Sequence, residues 1–217
     1  MKVINLGESP SVLNSYLAEM RDRTIQKDSM RFRRNLERVG EFFGIEISRT
    51  LDYSEKEVTT PLGIARVSTF DTPLVLATIL RAGLPLQQGL LNVFDKAETA
   101  FLATYRKYSK GDWHEIRVEY CTAPSLEGKT LILSDSMLAT GSSIEITLQK
   151  LIEEGGAPTH THLVCPVASR YAVDYLSSRH GDDMTLWVAA IDEELTSRSY
   201  IIPGIGDAGD LAFGGKA

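Results

Sequence analysis

The sequence holds only two cysteines, Cys121 and Cys165, which lie in unlike surroundings and lack C-x-x-C spacing. They fit reduced thiols in packing roles rather than a disulfide framework or a metal site. No apolar run approaches the roughly 20 residues that span a bilayer. Met1 to Ser9 lacks a charged start followed by an apolar core, so neither anchor nor secretion signal is expected and the chain reads as cytoplasmic. Positive charge is not in excess: 23 Lys and Arg stand against 29 Asp and Glu, a formal charge of −6. That excludes a protein whose whole surface embraces nucleic acid and leaves only a local basic patch for such a role. Two nucleotide-binding patterns are missing as well, G-x-x-x-x-G-K-[ST] and G-x-G-x-x-G. What remains is 217 residues, 43% hydrophobic and 24% charged, enough to bury a full core as one domain with a small appendage.

The most informative stretch is Thr130 to Ile146, TLILSDSMLATGSSIEI. Leu131, Ile132 and Leu133 form the short apolar run of a buried strand, while Ile144, Leu148, Leu151 and Ile152 repeat at helical spacing. Thr140, Gly141, Ser142 and Ser143 lie between them, where the first N–H groups of a helix have no internal partners and the helix dipole is positive. Such a point suits a phosphate. Asp135, just after the strand, is placed to accept hydrogen bonds from the two hydroxyls of a ribose beyond that phosphate, so the pair suggests a sugar phosphate. An ordinary turn, with Asp135 as its cap and Gly141 as its bend, accounts for the same residues.

Along the chain, Ser9 caps a first helix with Pro10 at its first position and Val12, Leu13, Tyr16, Leu17 and Met20 as its apolar stripe. A second helix starts near Asp28, with Phe32, Leu36, Val39 and Phe43 inward and Arg31, Arg33, Arg34 and Arg38 around its other faces. Those arginines offer an RNA-binding face. Asp22, Asp28, Glu37 and Glu41 intersperse them, which favours a solvated or subunit-contacting helix instead. From Ile45 to Val67 short β-like pieces, ISRTL, EKEVTT and IARVS, predict an antiparallel edge or hood.

Leu74 to Leu80 is a buried strand followed by Arg81, and a helix runs from Pro85 to about Val93. Thr99 to Tyr105 is the next strand and ends in Arg106. The carboxyl edge of an open α/β sheet is its ligand crevice, so both arginines are placed to meet an anion. Lys107 to Lys129 is polar around the alternating piece Glu115 to Tyr120 and predicts a hairpin flap that covers a reactive group and excludes water, with Trp113 and His114 packing it. Thr159 to Val167, Ser169 to Arg179 and Met184 to Ile191 then read as strand, helix and strand. The alternation predicts a mainly parallel sheet with helices on its faces. His160 and His162 share one face of their strand and are expected in structural roles, since further metal ligands are not visible; His180 reads as a loop residue.

The tail, Tyr200 to Lys216, YIIPGIGDAGDLAFGGK, interleaves Gly204, Gly206, Gly209, Gly214 and Gly215 with Ile201, Ile202, Ile205, Leu211 and Phe213. It is expected to fold onto the domain and bring main-chain groups close to a ligand. Rigid N–H and C=O groups suit a flat ring whose edge alternates acceptors and donors, and a ring that sets donor against donor would be rejected.

Asp135 to Ser143, DSMLATGSS, resembles the phosphoribosyl pyrophosphate (PRPP) loop of the type I phosphoribosyltransferases, most closely the D-P-M-L-A-T-G-G-S form of the uracil phosphoribosyltransferases. MRDRT, RFRRNLERVG, ILRAGLP, TYR and the tail resemble the same family in the same order over nearly the whole chain. The resemblance implies an α/β fold with a central mainly parallel sheet flanked by helices, a small hood and a β-hairpin flap. As one domain, 1–70 would hold the N-terminal helices and hood strands, 71–195 the α/β core with its flap near 106–129, and 196–217 the uracil-recognition tail. It implies a glycosyltransferase of the pentosyl class that converts uracil and PRPP to UMP and pyrophosphate in pyrimidine salvage. Asp135, Arg106 and Asp207 would carry catalysis. PRPP would meet Arg81, Arg106, Asp207 and the loop Asp135, Ser136, Met137, Leu138, Ala139, Thr140, Gly141, Ser142 and Ser143. Uracil would meet Ile201, Gly206, Asp207 and Ala208. No protein metal site is implied; Mg²⁺ would arrive with PRPP, GTP would be a candidate activator, and homodimers or higher homo-oligomers are expected. Membrane partners are not expected, and nucleic acid enters only through a second reading, a nucleotide-sensing RNA-binding regulator with little turnover. Ser136 stands for a usual Pro, Ser142 for a Gly whose backbone dihedral is unusual, and Leu211 for a basic residue.

Overall fold

The computed structural model describes residues 1–108 and 114–215, with side chains at all of these except 105–108 and 114–117. The chain opens with β1 (Lys2–Asn5), α1 (Val12–Arg21) and α2 (Ser29–Ser48). An antiparallel hairpin follows, β2 (Tyr53–Thr60) and β3 (Gly63–Phe70). The α/β part comprises β4 (Leu74–Leu80), α3 (Gly83–Val93), β5 (Glu98–Tyr108), β6 (His114–Thr122), β7 (Thr130–Ser134), the short β8 (Met137–Leu138), α4 (Ser142–Gly155), β9 (His160–Ser169), α5 (Arg170–Ser177) and β10 (Met184–Asp192). β11 (Glu194–Leu195), β12 (Ile201–Ile202) and α6 (Ala208–Phe213) complete it.

The main sheet runs β1-β10-β9-β7-β4-β5-β6, with β8 added onto β9. Every pairing is parallel except β5 with β6. Strands β7 and β4 are buried along nearly their whole length, as expected of a parallel sheet covered on both faces. From β4 the chain steps through α3 to β5 in one direction, and from β7 through α4 to β9 in the other. The switch point therefore falls between β4 and β7, and the crevice beyond their carboxyl ends receives Arg81 and Asp135.

Two apolar layers hold this arrangement. On one face Leu13, Phe32, Leu36, Phe43, Leu86 and Leu90 pack against Leu76, Ile132, Val164 and Trp187. On the other Ile144, Leu148, Leu151, Val173 and Leu176 cover Val75, Ala77, Leu131, Leu133 and Leu163. Helices α2 and α3 approach so closely that a Cβ on Gly89 would stand 1.9 Å from the carbonyl oxygen of Glu37.

Several local expectations are corrected. The cap of α1 is Ser11, not Ser9: its hydroxyl accepts from Leu13 N–H while Asn14 reaches back to the Ser11 N–H, forming a reciprocal box. Ile45 to Ser48, expected in a strand, continue α2, because Phe43, Gly44 and Ile47 remain buried on its core face. The hood forms as one hairpin in a separate sheet, exposed on most of both faces. Edge strand β1 was not legible, since its four residues carry no alternation; they pair in parallel with β10, and Val3 and Ile4 pack against the two apolar layers. Of the flap, paired strands β5 and β6 are described as far as Tyr108 and His114. Its expected tip, with Trp113, lies outside the described residues.

Candidate active site

The loop after β7 can receive an anion. Asp135 N–H donates to the Val164 carbonyl at 3.0 Å, and β8 pairs with the end of β9, so both sides of the loop are fixed to the sheet. Ser169 donates to the Ala139 carbonyl while accepting from Ala172 N–H, which ties the loop to α5 as well. Gly141 then precedes α4 with φ of 82°, and no side chain caps that helix. Its first N–H groups are left facing a small cavity of about 40 Å³ bordered by Asp135, Met137, Ala139, Thr140, Gly141 and Ser143. Fourteen residues of aligned peptide dipoles lie behind them.

Gly141 is required twice over. Its backbone is left-handed, and an added Cβ would lie 2.8 Å from the Tyr175 ring. Gly141→Ala is expected to cost about 2 kcal/mol in chemical denaturation and to raise KM for a phosphorylated substrate, because the strain displaces the N–H groups themselves.

The residues of this loop divide by where their side chains go. Leu138 is 2% exposed and belongs to the apolar layer under α4, so it shapes the loop rather than offering a polar group. Ser136 is also buried, with its hydroxyl 3.5 Å from Asp135 Oδ1. Ser142 occupies the first turn of α4 and meets Thr140 hydroxyl to hydroxyl at 2.8 Å. It is not among the positive-φ residues, so the departure from Gly adds a hydroxyl without backbone strain.

Asp135 sits where apolar strand ends remove solvent from one side of its carboxyl. Burial pushes its pKa up to about 7, opposed by hydrogen bonds from the N–H groups of Ser136 and Met137 and the Ser136 hydroxyl. The carboxylate of the ligand-free protein thus forms only as pH rises through about 7. The pH dependence of kcat/KM for a substrate that needs the ionised form is expected to rise through that region, and Asp135→Asn is expected to remove the inflection.

Arg81 follows β4 at the same edge, and the Leu80–Arg81 peptide is cis. Its Nη2 donates to Asp210 at 3.0 Å and its Nη1 to the Gly214 carbonyl at 3.1 Å. Arg106 lies on β5 opposite Ile116 of β6; its side chain lies outside the described residues.

The tail is folded, as expected, but through a device the sequence did not reveal. Arg21 of α1 makes a bidentate pair with Asp192 at the end of β10, at 2.8 and 2.9 Å. The same two side chains grip the peptide groups of Gly204: its N–H donates to Asp192 Oδ2 at 2.9 Å and its carbonyl accepts from Arg21 at 3.0 Å. Ile201 and Ile205 are buried on either side, and Ala208 is fully buried at the start of α6. Asp207 caps α6 by accepting from Asp210 N–H at 3.0 Å and is itself exposed, as is Gly206. No periodicity marks Arg21 or Asp192; their partnership spans 171 positions in sequence.

The arginines of α2 are engaged within the fold. Arg33 donates to the Ala212 carbonyl and lies over the Phe213 ring, Arg38 lies over Tyr16, Arg34 pairs with Glu37, and Arg31 lies 3.6 Å from Glu19. Nothing in this arrangement favours RNA. The larger cavity, about 330 Å³, opens at the amino ends of the strands, beside Lys2, Asp52, His160 and Trp187, and shares no residue with the loop after β7. There the Trp187 indole N–H donates to His162 Nδ1 at 3.1 Å, and burial, with His160 beside it, lowers His162 to about 4; both histidines serve packing. Among the described residues no helix is long and apolar enough to cross a membrane.

The mainly parallel sheet flanked by helices, with its crevice at the β4/β7 switch point, has the fold of the type I phosphoribosyltransferases. Consistent with that fold, a solved hypoxanthine phosphoribosyltransferase from Staphylococcus aureus superposes with a TM-score of 0.50 at 13% identity, covering 78% of this chain and 83% of that one. A closer likeness, to the AQ2163 protein from Aquifex aeolicus, has a TM-score of 0.86 at 27% identity and covers 98% of both chains. The family profile described as uracil phosphoribosyltransferase matches residues 8–215. A uracil phosphoribosyltransferase from Porphyromonas gingivalis is 50% identical over 216 residues, covering 100% of both chains. The chain belongs to the uracil phosphoribosyltransferase family.

Proposed function

We propose that this protein joins uracil to PRPP, giving UMP and pyrophosphate, and that the uncapped amino end of α4 beneath Asp135 is the observation that carries the reading. The 5-phosphate rests on the free N–H groups of Ser142 and Ser143 and on the Thr140 hydroxyl. Asp135 accepts hydrogen bonds from the ribose hydroxyls and supports positive charge that builds on the ring. Arg81 and Arg106 meet the pyrophosphate at the carboxyl edge of the sheet. Main-chain groups at Ile201, Gly206, Asp207 and Ala208 read the uracil edge and hold N1 toward the ribose C1. The N1–C1 bond forms as the C1–O bond to pyrophosphate breaks and the N1 proton passes to the departing pyrophosphate, without a covalent enzyme intermediate, so positioning and exclusion of water dominate.

Mg²⁺ is proposed to arrive on PRPP oxygens, where it supplies positive charge to the leaving group. Asp207 suits a role toward its waters, because its carboxylate is exposed at the start of α6. The 196–217 stretch acts as the base reader of a single domain whose core is 71–195. A homodimer or higher homo-oligomer is supported by the β2–β3 hairpin, where Leu62 is 100% and Ile64 68% exposed.

The activity is tested by following UMP formation from uracil and PRPP with and without Mg²⁺. Product formation that requires both substrates and the metal is expected. Absence of product despite PRPP binding would remove the enzyme reading.

A further inference from the structure

Arg81 is held from two sides by the tail rather than left free at the crevice. Asp210 accepts from Nη2 and the Gly214 carbonyl from Nη1, while the guanidinium lies across Gly209, where a Cβ would stand 3.3 Å from Nη2. Asp210 in turn donates its N–H to Asp207, the cap of α6 and one of the residues assigned to the base. A continuous set of contacts therefore runs from Arg81 through Asp210 to Asp207.

We infer that Asp210 is a positioning residue: it fixes the Arg81 fork at the crevice and ties the pyrophosphate end of the site to the base-reading tail. The inference rests on the reading of Arg81 as a pyrophosphate contact. A long arginine side chain loses rotamer freedom when it binds an anion, and anchoring it beforehand leaves less to lose when the anion arrives. Two of the five N–H donors are spent on the tail, and three remain. Side-chain exposures of 36% for Arg81 and 46% for Asp210 make the ion pair a small contributor to folding, so its effect is expected in binding and rate. The opposing influence is charge. A carboxylate beside Arg81 weakens its attraction for an anion, and if that influence outweighed pre-organisation, removing Asp210 would tighten binding. The sign of the change decides between them.

The test is calorimetric titration of inorganic pyrophosphate with Mg²⁺ into the full chain as wild type, Asp210→Ala, Asp210→Asn, Arg81→Ala and the Arg81→Ala/Asp210→Ala double variant. Asp210→Ala is expected to weaken pyrophosphate about three- to tenfold with an unchanged thermal midpoint. Asp210→Asn, which keeps an acceptor oxygen, is expected to recover part of that loss. In the Arg81→Ala background, Asp210→Ala is expected to change nothing further. Unchanged or tighter binding in Asp210→Ala overturns the inference, as does an equal loss in both backgrounds. If wild type and Arg81→Ala bind pyrophosphate alike, the reading of Arg81 itself fails, an outcome distinct from failure of Asp210 alone. In steady state, Asp210→Ala is expected to raise KM for uracil as well as for PRPP, because the tail loses one of its two ties to Arg81; a change confined to PRPP would contradict the link to the tail.

Discussion

Asp135→Asn is expected to lower kcat/KM for PRPP by about 10²- to 10⁴-fold while making the ligand-free protein more stable at pH 8. Opposite signs are expected because the carboxylate proposed to serve binding and chemistry is buried at a cost to folding. Its folded pKa, about 7, lies above the ordinary carboxyl value of 3.8. The native state therefore holds the proton more tightly than the unfolded chain, and stability declines as pH rises from about 4 through about 7. Asparagine removes that cost. The gain is roughly 2 kcal/mol, less than the whole shift implies, because one side of the carboxyl opens to the crevice. Activity is expected to depend on what asparagine lacks: a negative charge proposed to face the ribose as pyrophosphate departs. Melting curves at pH 5 and pH 8, set beside initial rates, check both parts. A variant that retains its rate would reduce Asp135 to a turn cap.

Asp192→Ala is expected to cost about 3 kcal/mol of stability, and the surviving folded protein should show a raised KM for uracil with KM for PRPP little changed. Asp192 is 8% exposed and its partner Arg21 24%, so removing the carboxylate strands a guanidinium in a mostly dry setting. It also removes the acceptor for the buried Gly204 N–H. For a chain of this length such a loss lowers Tm by roughly 6 to 12 °C. The selectivity for uracil follows from what the pair holds, the turn that leads from β12 into Gly206, Asp207 and Ala208. Thermal unfolding and a KM determination for each substrate are the checks. An equal rise in both KM values would mean that Asp192 supports the core at large and not the tail.

The parts of the site legible in the sequence are those set by contiguous residues. TLILS followed by DSMLATGSS announces a strand, a turn and a helix start because apolar period, acid, glycine and hydroxyls fall within one stretch. The strands Leu74–Leu80 and Met184–Asp192 were legible for the same reason, being nearly unbroken apolar runs. What escaped is set by partners far away in the chain. The 3₁₀ turn Leu6–Glu8 moves the true cap of α1 to Ser11, and burial of Ile47 carries α2 through a segment whose composition suits a strand. Arg21, lodged in a charged MRDRT segment, looks like a surface residue until β10 brings Asp192 to it. Asp210 reads as one more polar residue in a glycine-rich tail until Arg81 arrives from another strand end.

The central claim, uracil-specific phosphoribosyl transfer at the β4/β7 crevice, is tested most directly by nucleotide formation from PRPP and each of uracil, cytosine, hypoxanthine and orotate. The account predicts turnover with uracil alone, dependent on Mg²⁺ and lowered about 10²- to 10⁴-fold by Asp135→Asn. Turnover with another base at a comparable rate, or uracil turnover untouched by the Asp135 substitution, would contradict it.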